Sequence, residues 1–221
     1  IGLSPFQEQW KWIFIVLCIL TMAVGNIIAI QQKNIKRMLA YSSIAHAGYA
    51  MLGIVAGGTE GISAMMNYLM IYAFMNIGAF SVVIMLNSEK FKGDMLEDYK
   101  GFAKTHPVAA AIMLLFMFSL TGIPPTAGFI GKFYLFSVLV EAGFSWLAVV
   151  AVVFSAISAY FYLRVVMYMY MYEPKETIKL SFSSSLGLAL ILSMISVIII
   201  GIYPIPLLKF VRFGSLFFLS L

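Results

Sequence analysis

Residues 119–134 read Ser-Leu-Thr-Gly-Ile-Pro-Pro-Thr-Ala-Gly-Phe-Ile-Gly-Lys-Phe-Tyr, and they interrupt an apolar stretch that runs from Val108 to Val140. One helical crossing of a bilayer needs about 20 residues, so this stretch is too long for a simple span. Proline has no N–H, clashes with the preceding turn, and pushes the residue before it out of the helical region. The helix is therefore expected to unwind at mid-membrane over residues 122–128, which is tolerated only where the break is buried in protein or lines a wet cavity. The break residues are Gly122, Pro124, Pro125 and Gly128.

The composition predicts that lipid is the solvent of this chain. The 221 residues are 62% hydrophobic and only 10% charged, and the mean hydropathy is +0.99, whereas a soluble domain needs far more charge. The apolar residues form long runs and not the short alternating segments of a membrane barrel, so the spanning elements should be helices. A net charge of +5 could indicate nucleic acid in a soluble protein. Here loop residues that fix membrane orientation explain it better, and no nucleic-acid partner is expected.

The predicted fold class is an all-α membrane protein with about six transmembrane helices in a single transmembrane domain over residues 1–221. Because the chain begins with Ile1 and shows no cleavable signal peptide, we expect it to be a piece of a longer protein. The predicted spans are 12–30, 35–57, 61–86, 108–140 with its break at 122–128, 145–170 and 184–204.

The distribution of basic residues predicts the orientation. Ten basic residues fall in or next to the loops after the first, third and fifth spans, against three at the other end. By the positive-inside rule the first set faces the cytoplasm, and both ends of the chain face away from it. The ten are Lys33, Lys36, Arg37, Lys90, Lys92, Lys100, Lys104, Arg164, Lys175 and Lys179; the three are Lys11, Lys209 and Arg212.

Lys132 is the main candidate for chemistry. It follows the predicted break by one turn and lies too far from either end of the span to reach water easily. Ionisable groups at this depth are costly, and burial favours the neutral amine, which suits a group that accepts and releases a proton. Broken helices around a midplane charge are also the usual architecture of transporter sites. The alternative is a lysine paired permanently with an acid for structural reasons, although the predicted spans offer no such acid at that depth.

His46 is the second candidate. It lies ten residues beyond Lys36, about 15 Å into a core roughly 30 Å thick. Imidazole donates and accepts near physiological pH and can relay a proton. The alternative is a histidine satisfied by a neighbouring hydroxyl or backbone group. Arg164, by contrast, is expected to snorkel or to bind a lipid headgroup.

A polar stripe on the third span consists of Tyr68, Tyr72 and Asn76, spaced four residues apart, with Asn67 adjacent. It could organise a file of water or could equally join helices by hydrogen bonds. The single cysteine, Cys18, lies in an apolar run and is expected to be core packing. There is no phosphate loop, metal-ligand spacing or hydrolytic triad in the sequence.

Two segments resemble those of a known family. Residues 31–49, Gln-Gln-Lys-Asn-Ile-Lys-Arg-Met-Leu-Ala-Tyr-Ser-Ser-Ile-Ala-His-Ala-Gly-Tyr, resemble a hallmark segment of the antiporter-like subunits of respiratory complex I (NADH–quinone oxidoreductase). Residues 119–134 resemble the broken helix of that family, and Lys132 matches its proton-carrying lysine. The resemblance covers nearly the whole chain. It is strongest to the C-terminal half of the subunit N branch, because larger siblings usually carry a lysine where this chain has Asn76.

The resemblance implies part of an inverted-repeat bundle that translocates protons, with Lys132 as central carrier, His46 as relay and Tyr68, Tyr72 and Asn76 as neighbours that organise water. It implies no cofactor in this chain; NADH, FMN, Fe–S clusters and quinone would belong to other subunits. The implied partners are other membrane-arm subunits and phospholipids, in a bacterial inner membrane. The alternatives are a subunit of a multi-subunit Na⁺/H⁺ antiporter, which shares the fold, and a structural spacer that tolerates loss of Lys132.

Overall fold

The computed structural model describes residues 7–86, 93–174, 180–181 and 183–220, and these form a helical bundle. A 3₁₀ helix, Leu96–Tyr99, lies between α3 and α4. The α-helices are α1 (Gln7–Gln31), α2 (Ile35–Ala56), α3 (Gly58–Met85), α4 (Phe102–Thr105), α5 (Pro107–Thr121), α6 (Ala127–Glu141), α7 (Ser145–Met171), α8 (Ser184–Ile202) and α9 (Ile205–Ser220).

The predicted all-α membrane fold is confirmed. Within the described residues, α1, α2, α3, α7 and α8 are each long and apolar enough to cross a bilayer. The fourth predicted span is the pair α5 and α6, separated by residues 122–126. The break is shorter than predicted, because Ala127 and Gly128 already belong to α6.

The sequence prediction did not include α9. Apolar runs of spanning length indicate the other long helices, whereas α9 has only 16 residues and carries Lys209 and Arg212. It packs on α3, with Val211 buried.

The loops at one end of the bundle, here called the basic end, are joined into one layer. Ile35 donates its backbone N–H to the carbonyl of Asp94 at 2.7 Å, and Leu96 donates to the carbonyl of Lys33 at 2.8 Å. Gly101 donates to the carbonyl of Tyr168 at 3.1 Å. The loops after α1, α3 and α7 therefore lie at the same end, as the alternation of basic residues predicts. Lys90, Lys92, Lys175 and Lys179 lie outside the described residues, and which side of the membrane the basic end faces stays a prediction.

Arg164 differs from its prediction. Its Nη1 and Nη2 donate to the carbonyl oxygens of Ile30 and Gln32 at 2.8 and 2.6 Å. The last turn of α1 contains no basic residue of its own, so its unpaired carbonyls receive a cation from α7, an arrangement that stabilises a helix C-terminus. The guanidinium thus holds two helices together and is not directed to lipid.

The hydrophobic core has two parts, and the candidate site lies between them. One part joins α2, α3, α5, α7 and α8 near the basic end and includes Tyr162. The other joins α1, α2, α3, α6 and α7 nearer the opposite end and includes Tyr49 and Tyr68. Cys18 is buried in the second part, as expected.

Candidate functional site

The break between α5 and α6 begins with a Schellman motif. Gly122, at φ +91°, donates its N–H to the carbonyls of Phe118 and Ser119, and Ile123 donates to that of Phe118. This left-handed conformation strongly favours glycine. In a continuous helix the carbonyls of Leu120 and Thr121 would accept from the N–H groups of residues 124 and 125. Both of those residues are prolines, so these two carbonyls have no backbone donor four residues on.

The two halves of the broken span approach closely where α6 begins. The backbone N–H of Gly128 donates to Oγ of Ser119 at 3.0 Å, and that hydroxyl contacts Sδ of Met75 at 2.9 Å. A Cβ on residue 128 would overlap the carbonyl of Ser119, so only glycine fits.

The expectation that the break is buried in protein is met by only part of it within the described residues. Thr126 to Gly128 are buried, but Pro124 and Pro125 are exposed. The carbonyl of Pro125 packs towards Gly201 of α8.

Lys132 places its ammonium against the open C-terminus of α5. Nζ donates to the carbonyls of Leu120 and Thr121 at 3.1 and 2.8 Å, and to Oγ of Ser155 at 2.8 Å. The side chain is only 5% exposed. The charge thus rests on the two carbonyls left free by the prolines, at the negative end of the α5 dipole. No acidic side chain pairs with it among the described residues, so the alternative of a permanent ion pair does not apply there.

His46 lies at the centre of a group of tyrosines. Its Nδ1 is 2.8 Å from the hydroxyl of Tyr68, and its Nε2 is 3.0 Å from the hydroxyl of Tyr162. In a neutral imidazole one nitrogen donates and the other accepts, so the ring connects the two hydroxyls in one chain of hydrogen bonds. Tyr72 stacks on the imidazole with ring centroids 4.5 Å apart. The histidine is therefore satisfied on both sides by hydroxyls, a geometry that serves a structural role and a relay equally well.

Tyr49 connects the lysine to the histidine. Nζ of Lys132 lies 5.3 Å from the centroid of the Tyr49 ring, within reach of a cation–π contact. The same ring lies 5.9 Å from that of His46 and 6.3 Å from that of Tyr68, centroid to centroid. The two predicted centres thus form one buried cluster.

Two members of the predicted stripe on α3 join this cluster, and one does not. Tyr68 is buried and bonded to His46, and Tyr72 is stacked on His46. Asn76 is half-buried and makes no side-chain hydrogen bond within the described part of the chain.

Sequence reasoning missed Tyr49, Ser155 and Tyr162 as site residues. A signal for the last two existed, because Ser155, Ser158 and Tyr162 form an i, i+3, i+7 stripe of hydroxyl-bearing residues on α7. Tyr49 had a weaker signal, its position one turn beyond His46.

Several buried oxygen atoms around the cluster have no hydrogen-bond partner in the protein. They are Asn26 Oδ1, Tyr49 OH, Asn67 Oδ1 and Tyr72 OH. Beside Lys132, an open cavity of about 370 Å³ between α6 and α7 is lined by Thr121, Phe129, Phe133 and Ser155. Buried polar atoms are almost always paired with protein or ordered water. The arrangement can therefore hold a cation, hydroxyls and water in one connected set.

In the part of the chain that the structure describes, no group of three or more His, Cys, Asp or Glu side chains comes together that could bind a metal ion.

Comparison with known proteins places the chain in a family. Residues 2–158 match the family model described as "NADH:quinone oxidoreductase/Mrp antiporter, TM". The chain belongs to this family. Its members therefore include both the oxidoreductase subunits and the antiporter subunits that the sequence left as alternatives.

Several curated relatives carry the name of one subunit. NADH-quinone oxidoreductase subunit N 2 of Rhizobium meliloti is 56% identical over 167 residues, which are 75% of this chain and 35% of the relative. Subunit N of Desulforamulus reducens is 44% identical over 218 residues, 99% of this chain and 45% of the relative. A chain of respiratory complex I from Thermus thermophilus with bound Aureothin is 34% identical with a TM-score of 0.77, covering 89% of this chain and 44% of that one. The chain spans less than half the length of each.

Proposed function

We propose that this chain is part of a proton-translocating membrane subunit of an NADH–quinone oxidoreductase, with Lys132 as its central proton carrier. The observation that carries the proposal is the buried ammonium on the free carbonyls of a broken helix, next to a chain of hydroxyls around His46. The similarity to subunits named N supports the complex, and the family description supports membrane transport.

Two opposing effects allow Lys132 to exist both charged and neutral. Burial favours the neutral amine, because an ion loses its hydration in the membrane interior. The carbonyls of Leu120 and Thr121 favour the ammonium through charge-assisted hydrogen bonds and the helix dipole. A carboxylate in contact would fix the charge, whereas carbonyl acceptors hold it more weakly, so a small change in the surroundings can move the proton.

Ser155 can serve both states of the lysine. Its Oγ accepts from Nζ at 2.8 Å and lies 3.5 Å from the carbonyl oxygen of Thr121, to which it can donate. After the amine loses a proton, its two remaining hydrogens can stay on the carbonyls and its lone pair needs a donor. The serine hydroxyl can rotate to donate to that lone pair, which a carbonyl cannot do.

His46 would pass the proton on. One ring nitrogen accepts a proton while the other releases one. The imidazole can therefore pass a proton between Tyr68 and Tyr162 while the ring itself stays in place. Water bound to the unpaired oxygens of Tyr49 and Tyr72 would connect the histidine to Lys132. The proposed water-organising role of Asn76 stays a prediction.

The rest of the function is proposed to lie outside this chain. NADH oxidation with FMN and Fe–S clusters, and quinone reduction, would take place in other subunits. The proposed partners are the other membrane-arm subunits and phospholipids of a bacterial inner membrane, with the basic end in the cytoplasm.

The second candidate, an Na⁺/H⁺ antiporter subunit, is favoured by one observation, namely that the family model covers both kinds of protein. Affinity purification of the full-length protein from its own membranes distinguishes the two. We expect NADH–quinone oxidoreductase activity in the purified complex, and NADH-driven acidification of vesicles that does not require Na⁺. Purification without NADH activity, together with Na⁺-dependent proton exchange, would reject the proposal in favour of the antiporter.

A further inference from the structure

Glu60 lies at the end of the bundle opposite the basic end, where three helices meet. Its Oε2 accepts a hydrogen bond from the hydroxyl of Tyr134 on α6 at 3.0 Å, and its Oε1 is 2.9 Å from Nη2 of Arg212 on α9. The Glu60 side chain is 46% exposed. It therefore touches both solvent-accessible space and α6, the helix that carries Lys132 two residues before Tyr134.

Polar groups on α3 lead from Glu60 inwards to the cluster. Ser63 and Asn67 lie three and seven residues after Glu60, on the same face of the helix, and both are buried. Tyr68, the hydroxyl bonded to His46, comes next to Asn67. From Tyr68 to Glu60 is eight residues, about 12 Å along the axis, which a few bound waters can bridge.

Asn67 points to water in this interval. Its Nδ2 donates to the carbonyl of Ser63 at 3.0 Å, but its Oδ1 has no hydrogen-bond partner although the residue is only 1% exposed. A buried amide oxygen without a protein partner is normally satisfied by an ordered water.

The packing of α6 keeps the part of α3 between Glu60 and Tyr68 close to Lys132. Gly131, which directly precedes Lys132, approaches the ring of Tyr68: a Cβ there would lie 3.2 Å from it. Tyr134 follows one turn nearer Glu60 on the same face of α6. The segment between Tyr68 and Glu60 is thus lined by α3 and α6, two of the helices that form the central site.

We propose that Glu60 is the proton-release residue of this chain, taking protons from the cluster through water at Asn67 and passing them to the medium at the end opposite the basic end. This inference rests on the proposed function. In the step, the carboxylate accepts one proton to become a neutral acid and then gives it to a water or a buffer base outside. The carboxylate then forms its ion pair with Arg212 again, and this pair holds it at the end of the bundle opposite the basic end.

The test uses the complete complex reconstituted in vesicles, with NADH-driven proton pumping as the readout. Glu60→Ala should lower the pumping rate by roughly tenfold, less than the roughly 10²- to 10⁴-fold of a fully enclosed acid–base group, because bulk water lies near. Formate added to the compartment that receives the protons should restore much of the rate, since a small carboxylate can replace the missing acceptor. Glu141→Gln, an exposed carboxylate at the same end, is the matched control and should pump at the wild-type rate.

Three results would overturn the inference. Wild-type pumping by assembled Glu60→Ala would remove the residue from the route. A loss that formate does not restore, reproduced by Arg212→Gln, would show that Glu60 only holds α9 in place. An equal loss in Glu141→Gln would show a general effect of surface charge. Lys132→Met in the same vesicles separates this inference from the proposed function: if that variant stops pumping while Glu60→Ala does not, only the release site is wrong.

Discussion

Lys132→Met is the perturbation that tests the central site most directly. Methionine has nearly the same length and helix propensity as lysine but has no amine to carry a proton. The change removes a buried cation together with its hydrogen bonds to Leu120, Thr121 and Ser155. The question is whether stability or transport is lost.

The structure indicates that stability changes little. Hydrogen bonds to a charged group contribute about 1.5–3 kcal/mol each, so losing three of them removes several kcal/mol. Burying an unpaired ion costs several kcal/mol in the opposite direction, and that cost disappears with the charge. The two effects nearly cancel. Ser155 can still donate to the carbonyl of Thr121, which lies 3.5 Å away, so the free α5 terminus keeps one donor. We therefore expect the complex to assemble.

Transport should fail in the same variant. NADH-driven acidification of reconstituted vesicles should fall by at least about tenfold, equivalent to roughly 1.4 kcal/mol on the rate-limiting step. Lys132→Arg should fail as well, because guanidinium stays protonated at any accessible pH and cannot release a proton. Subunit content by mass spectrometry and NADH oxidation with a soluble acceptor serve as controls for assembly. Pumping at the wild-type rate and stoichiometry by a fully assembled Lys132→Met complex would refute the reasoning and leave this residue a structural cation.

The remaining variants of the site should reduce the pumping rate to different extents. His46→Ala should reduce pumping less than Lys132→Met, because water can enter the space of the imidazole; equal loss would make the histidine obligatory in the route. Ser155→Ala should slow pumping by up to about 5- to 30-fold, the effect of one or two kcal/mol, since the neutral amine loses its donor, and Ser155→Thr should restore it. For orientation, a single accessible cysteine at Lys33 should react only with reagent on the cytoplasmic side, and one at Ala142 only on the other side; reversed labelling would reverse the direction of every proposed step.

The all-α membrane fold class follows readily from the sequence, because long apolar runs and basic loops depend on composition and order alone. The helices that were found match the predicted spans to within a few residues at most ends. The helix α9 was missed for the opposite reason: it is short, carries two cations, and is recognised as an element only through its packing on α3.

The site was predicted less completely because its contacts come from different helices. Lys132 and His46 stand out in the sequence as isolated ionisable groups at depth. Their partners Ser155 and Tyr162 lie 23 and 116 residues away, and nothing in one sequence states that α7 contacts both α6 and α2. Arg164 shows the same limit, since its carbonyl partners at the end of α1 are more than 130 residues distant.

The tandem prolines create the hydrogen-bond acceptors that the lysine uses, and this leads to a final prediction. Pro124 and Pro125 leave the carbonyls of Leu120 and Thr121 without backbone donors, and these are the carbonyls that Nζ of Lys132 binds. Replacing both prolines by alanine restores two N–H groups that can bond to those carbonyls and lets α5 extend. The ammonium would then keep only Ser155, so two charge-assisted hydrogen bonds of about 1.5–3 kcal/mol each would be weakened or lost. Pumping should fall strongly in an assembled complex, although the proline rings are exposed and do not form the lysine's hydrogen bonds. Pro204→Ala, in the turn between α8 and α9, is the control and should pump normally. If the double variant pumps as the wild type does, the prolines only interrupt the helix and do not prepare the acceptors of the lysine.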